Sequence, residues 1–208
     1  METFAPAVSQ IPTSRIRLAG WLLVLQLFCW IGVVIAGLAN FPPGEFDTWT
    51  PTVLAGVRSP WILFHLFMAL ALVVGNSAMA LLAGDLRETL ARPLTLVILV
   101  CALGGIALVL VFVALRFSVL NFSESTLGQV RAYQASDPVF ITSSVLTFLA
   151  TCITAISLWR THMARRTGLV VAVLSGALIV LLFVGFPPFA LGLLWLPLGI
   201  ALLRRRAR

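Results

Sequence analysis

The sequence predicts an all-α, multi-pass membrane protein, a single bundle of about six transmembrane helices with no separate soluble domain. Three observations carry this. Hydrophobic residues make up 61% of the 208-residue chain and charged residues only 10%, against roughly 25% charged in soluble domains. Mean hydropathy is +1.09, and long apolar runs of membrane-crossing length recur between short polar turns. All of the basic residues are Arg, and they crowd into alternate turns, the usual topology signal of a membrane protein. The same distribution accounts for the net charge of +7 without a nucleic-acid partner.

The first span is expected over residues 18–38. Arg15 and Arg17 precede it, as they would a signal peptide, but the apolar run is longer than the ~7–15 residues of a signal core, which favours a retained helix. A loop rich in Pro, Gly and acid follows, and Trp49 and Trp61 fit an aromatic belt at the water boundary. The second span covers 60–83 and opens on Pro60, where a missing N–H costs nothing. A tight turn with Asp85, Arg87, Glu88 and Arg92 leads to the third span, 94–115, whose Gly104-Gly105 pair admits a neighbouring helix closely.

Between the third and fourth spans, Leu127, Val130 and Tyr133 have the spacing of a short amphipathic helix on the membrane surface. The fourth span, 138–159, begins just after Asp137 and ends before Arg160. A basic turn leads to the fifth, 168–186. Pro187-Pro188 breaks the chain before a sixth segment, 189–203, short and interrupted by Pro197, so that it reads as thin, tilted or partly re-entrant.

With six spans, Arg15, Arg17, Arg87, Arg92, Arg160, Arg165, Arg166, Arg204, Arg205, Arg206 and Arg208 share one side, and Arg58, Arg116 and Arg131 the other. The positive-inside rule then makes both termini cytoplasmic, and the expected location is the inner (plasma) membrane.

Several chemistries are excluded or unsupported. A chain without Lys has no retinal Schiff base and no other lysine-linked cofactor. Cys29, Cys101 and Cys152 lie in three different segments with no C-x-x-C pair, which gives thiol exchange no support, and no His or carboxylate joins them for a soft-metal site. His65 and His162 sit toward opposite faces, a poor arrangement for bis-histidine haem. Gly75-Asn76-Ser77 is similar to the Gly-x-Ser of rhomboid intramembrane proteases, but the later spans hold no histidine base. Neither a cofactor, a metal nor a catalytic residue is expected.

Two sets of residues remain. On the fourth span, Ser144, Thr147, Thr151 and Thr154 fall at steps of three, four and three, one line on a helix. Such a stripe marks close helix packing, or lines a polar pathway. On the second span, His65 and Asn76 lie eleven residues apart on nearly one face and should turn inward. With Trp61 and Tyr133, His65 has the makings of an outward-facing cleft for a small solute or lipid, although a histidine bonded to a nearby carbonyl is the plainer account.

The stretches Arg15–Leu25, Ala164–Val171 and Trp195–Gly199 resemble small bacterial six-helix membrane proteins of unknown function. The resemblance lies in layout and apolar motifs and implies no activity. The expected role is an accessory, scaffolding or assembly subunit whose partners are the lipid bilayer and other membrane-protein subunits. The alternative is a binding or transport protein using the cleft near His65.

Overall fold

The computed structural model describes residues 13–40, 56–87, 92–121, 126–182 and 190–204. These form six helices: α1 (Thr13–Asn40), α2 (Arg58–Leu86), α3 (Arg92–Ser118), α4 (Thr126–Arg160), α5 (Arg165–Leu182) and α6 (Ala190–Leu203), with a 3-10 turn at Val119–Asn121. Five of them are long and apolar enough to cross a membrane. At 14 residues, α6 rises only about 21 Å, short of the ~30 Å hydrocarbon core. Its Pro197 cannot donate to the Leu193 carbonyl one turn earlier. The Pro187-Pro188 break lies outside the described residues.

Sequential helices run antiparallel, as short connections require. Contacting residue numbers rise on one helix as they fall on the other: Gly32 meets Phe67, Gly37 meets Phe64, and Arg15 pairs with Asp85 between α1 and α2. The same holds for Gly105 with Thr147 between α3 and α4, and Gly168 with Ala155 between α4 and α5. The ring closes where α6 returns onto α1. There Gly20 and Gly199 bring the backbones together: a Cβ on Gly199 would stand 2.8 Å from the Gly20 carbonyl oxygen. Small residues at such crossings exploit packing where lipid removes the hydrophobic drive between helices. Across the ring, α2 touches α4 in parallel, Asn76 against Thr147 and Trp61 against Tyr133.

The centre is therefore built on α2 and α4. Leu72, Met79, Leu82 and Leu86 of α2 and Phe148 and Leu158 of α4 are fully buried, with Leu23 of α1 and Trp195 and Leu198 of α6. Broad apolar faces of α1, α3 and α5 look outward, through residues such as Phe28, Val100 and Val173. That distribution is inverted relative to a soluble domain and is what a lipid solvent demands.

The boundaries differ from the sequence reading in one way that matters for function. The surface helix and the fourth span are one 35-residue helix, α4, with Pro138 inside it. Proline removes one rung of the helical ladder, yet α3 lies alongside and holds the N-terminal arm in place. Tyr133 is therefore carried on α4 itself, on top of the bundle rather than in a connecting loop. The side chains of Leu127 and Val130 lie outside those described, as do the acidic loop with Trp49 and the tail with Arg205, Arg206 and Arg208. The other basic residues of the predicted cytoplasmic side all gather at one end of the bundle. Arg15 and Arg17 lie near the start of α1, Arg87 after α2, and Arg92 at the start of α3. Arg160 ends α4, Arg165 and Arg166 begin α5, and Arg204 follows α6.

Candidate functional site

Ser144, Thr147, Thr151 and Thr154 are all wholly buried. Each hydroxyl of the working pair serves two helices at once. Thr147 Oγ1 donates to the Ser143 carbonyl one turn back and accepts from Asn76 Nδ2 of α2 at 2.9 Å. Thr151 Oγ1 donates to the Thr147 carbonyl and accepts from the indole N–H of Trp195, also at 2.9 Å. Back-bonding satisfies the hydroxyl hydrogen within its own helix and leaves the oxygen free to receive a neighbour's donor. The third interhelical bond comes from Ser143, whose Oγ donates to the Gly105 carbonyl of α3 at 3.0 Å. Ser144 and Thr154 make none among the described residues.

Asn76 joins this ladder from the other side. Its amide donates to the Leu72 carbonyl as well as to Thr147. Gly105 makes the approach possible, since a Cβ there would sit 3.1 Å from Thr147 Oγ1 and 3.2 Å from Asn76 Nδ2. On α1, the buried Gln26 donates to the Leu23 carbonyl and, at 3.3 Å, to the Gly192 carbonyl of α6. Gln26, Asn76, Ser143, Thr147, Thr151 and Trp195 thus tie five helices together deep in the bundle. Averaged over such contacts, each bond contributes about 0.6 kcal/mol, so the larger effect is on register: each donor meets one acceptor on the neighbouring helix.

Trp195 is the keystone of this belt. Its ring lies across Gly75, where a Cβ would come within 1.9 Å of the indole. The Gly75-Asn76-Ser77 stretch is therefore a socket for an aromatic ring followed by an interhelical amide. Ser77 donates to the Val73 carbonyl of its own helix at 2.8 Å, an arrangement without a base for nucleophilic chemistry.

The second set of residues is split. Trp61, His65 and Tyr133 come together at the end of the bundle that carries Arg58, Arg116 and Arg131, while Asn76 lies three helical turns away in the belt. His65 Nδ1 is 2.8 Å from the Trp61 carbonyl; a carbonyl only accepts, so this nitrogen carries the hydrogen. The imidazole is 4% exposed, with the rings of Trp61, Phe64 and Phe112 at 4.6, 5.1 and 5.8 Å. It is a histidine walled by aromatic rings and bonded to the carbonyl one turn back on its own helix.

Above it stands a residue the sequence placed in a connecting loop. Arg116, in the last turn of α3, is only 5% exposed. Its guanidinium lies 3.5 Å from the centre of the Tyr133 ring, a cation–π contact, and its Nη2 donates to the half-exposed Asp137 carboxylate. Trp61 Nε1 donates to the Arg116 carbonyl at 3.1 Å. Arg116, Tyr133, Asp137 and Trp61 therefore clasp α2, α3 and the arm of α4, just where Pro138 weakens that helix. Buried charges at a membrane boundary are costly and persist where they are paired.

Among the described residues no group of three or more His, Cys, Asp or Glu could hold a metal ion, and Cys29, Cys101 and Cys152 are free thiols. No family model, no curated protein and no solved structure matches the chain. What the architecture defines is an apolar helical bundle of the integral-membrane class. The likeness to small six-helix bacterial proteins rests on sequence layout alone.

Proposed function

We propose that the protein is an accessory, scaffolding or assembly subunit of a bacterial inner membrane, spanning it with both termini in the cytoplasm. One observation supports this reading: among the described residues, the polar side chains that meet deep in the bundle bond from helix to helix. The buried hydroxyls and amides of the belt bond to neighbouring helices, and the histidine faces aromatic rings. Such an interior leaves the outer faces of α1, α3 and α5 and the polar ends as the surfaces available for work. Chemical machinery at those ends would require reactive groups held in contact, and the Arg116–Asp137 pair serves a structural clasp instead.

Purification from native membranes in mild detergent, followed by mass spectrometry of the intact assembly, tests the proposal. A second membrane protein in fixed stoichiometry is the expected result. A stoichiometric small solute or pigment in its place, with no protein partner, would overturn the reading.

The alternative, a ligand cleft near His65, draws on the meeting of Trp61, His65, Tyr133 and Arg116. It separates from the first by accessibility. A water-soluble histidine reagent applied to intact cells, with His65→Gln as control, should leave His65 unmodified if the cluster is only structural. Modification that a co-purifying ligand blocks would establish the cleft.

A further inference from the structure

We infer that the arginine-bearing end of the bundle is a docking surface for anionic phospholipid headgroups, organised as three lipid-shaped stripes on α1, α3 and α5. The inference rests on the membrane placement above. It starts from a charge imbalance. The arginines gathered at this end are exposed, while the one acidic residue described there, Asp85, is buried and 3.9 Å from Arg15 alone. Among the described residues, carboxylates therefore leave most of this positive charge uncompensated, and Glu88, which lies between Arg87 and Arg92 in sequence, can offset only one charge more, so an anion from outside the chain is favoured.

The apolar surface beneath the arginines says what carries that counter-charge. On α1, exposed Arg17 is followed at helical spacing by Trp21, Leu25 and Phe28, all outward-facing. On α3, exposed Arg92 stands above Leu96, Val100 and Leu103. On α5, Arg166 stands above Val170, Val173 and Val180. In each case one helix face presents a cation at the headgroup level and an unbroken apolar track along the bilayer depth. A molecule with a phosphate at one end and acyl chains at the other matches both parts. A soluble anion or an acidic protein segment matches only the first. A cation near an anionic leaflet contributes roughly a fivefold preference, and arginine meets phosphate with a planar, multi-donor fork.

The test uses the full chain reconstituted with spin-labelled phosphatidylglycerol or phosphatidylcholine, reading the motionally restricted boundary lipids by electron spin resonance. The expected result is a preference of about fivefold for phosphatidylglycerol that shrinks as salt rises. Arg17→Gln, Arg92→Gln and Arg166→Gln together should abolish most of it. The matching lysine variants, which keep the charge, should retain most of it, and Arg58→Gln with Arg131→Gln at the other end should leave it intact. Equal association of the two lipids with the parent protein would overturn the proposal, as would a preference that glycerol phosphate alone competes away. A failure of membrane embedding is a distinct outcome, because no restricted lipid component of either kind would then be seen.

Discussion

Replacing Gly75 with Ala should expose the belt's dependence on one ring. The added Cβ would lie 1.9, 2.2 and 2.6 Å from three carbons of Trp195, far inside ordinary contact, so the indole has to move by more than an ångström. It has nowhere free to go: the ring is fully buried and its N–H is held by Thr151 Oγ1 at 2.9 Å. Overpacking of this kind costs about 1–3 kcal/mol, and losing the interhelical bond adds about 0.6 kcal/mol. The better helix propensity of Ala returns up to about 1 kcal/mol. A net loss of about 1–3 kcal/mol is expected from these three terms. Reversible unfolding in mixed detergent micelles, followed by circular dichroism, measures it. In a Trp195→Leu background the same Gly75→Ala change should cost nothing or stabilise, giving a coupling energy of about 1 kcal/mol or more. If Gly75→Ala costs nothing in the parent, or costs equally in both backgrounds, Trp195 does not sit in the Gly75 socket.

Three further substitutions read other parts of the same structure. Thr151→Ala should cost about 1 kcal/mol by leaving the Trp195 N–H without its acceptor, whereas Thr151→Leu should cost about 1–3 kcal/mol through overpacking; equal stability of the Leu variant and the parent would place Thr151 against lipid or open space. His162→Gly should stabilise the turn between α4 and α5 by up to about 1 kcal/mol, because His162 holds a left-handed φ of 55° that strains a side-chain-bearing residue, partly offset by the extra freedom of Gly when unfolded; the same unfolding assay would count against that strain if the Gly variant were the weaker.

Helical periodicity puts Ser144, Thr147, Thr151 and Thr154 on one line of α4, and all four are buried there. It was not enough to choose the members of the belt. Ser143 and Ser144 are adjacent, and only the rotation of α4 against Gly105 makes the first a bonding partner. Trp195 was harder still. A tryptophan in the middle of a short apolar run carries no sign of its partner, and nothing in its neighbours reveals a glycine socket on a helix over a hundred residues earlier. Asp-Pro at 137–138 carries a strong local breaker signal, yet packing against α3 keeps α4 continuous, a tertiary effect that propensity does not contain. Arg116 was hidden for a related reason. At the edge of an apolar run it resembles an arginine reaching for water, and its inward turn depends on Tyr133 and Asp137 arriving from the next helix. The membrane class, by contrast, was legible from composition because it needs no partner information.

The most direct measurement of the central claim is cysteine accessibility from the two ends of the bundle, in a background with Cys29, Cys101 and Cys152 replaced. Ser14 and Ser59 are exposed near the start of α1 and at the start of α2, and Ser→Cys changes little at either. Arg204, exposed after α6, reports whether the short last helix returns the chain to the arginine end. An impermeant thiol reagent applied to intact cells should label Ser59→Cys, and should reach Ser14→Cys and Arg204→Cys only after the membrane is opened. Labelling of Ser14→Cys and Ser59→Cys from the same side, or of Arg204→Cys in intact cells, would contradict a six-helix bundle with both ends in the cytoplasm.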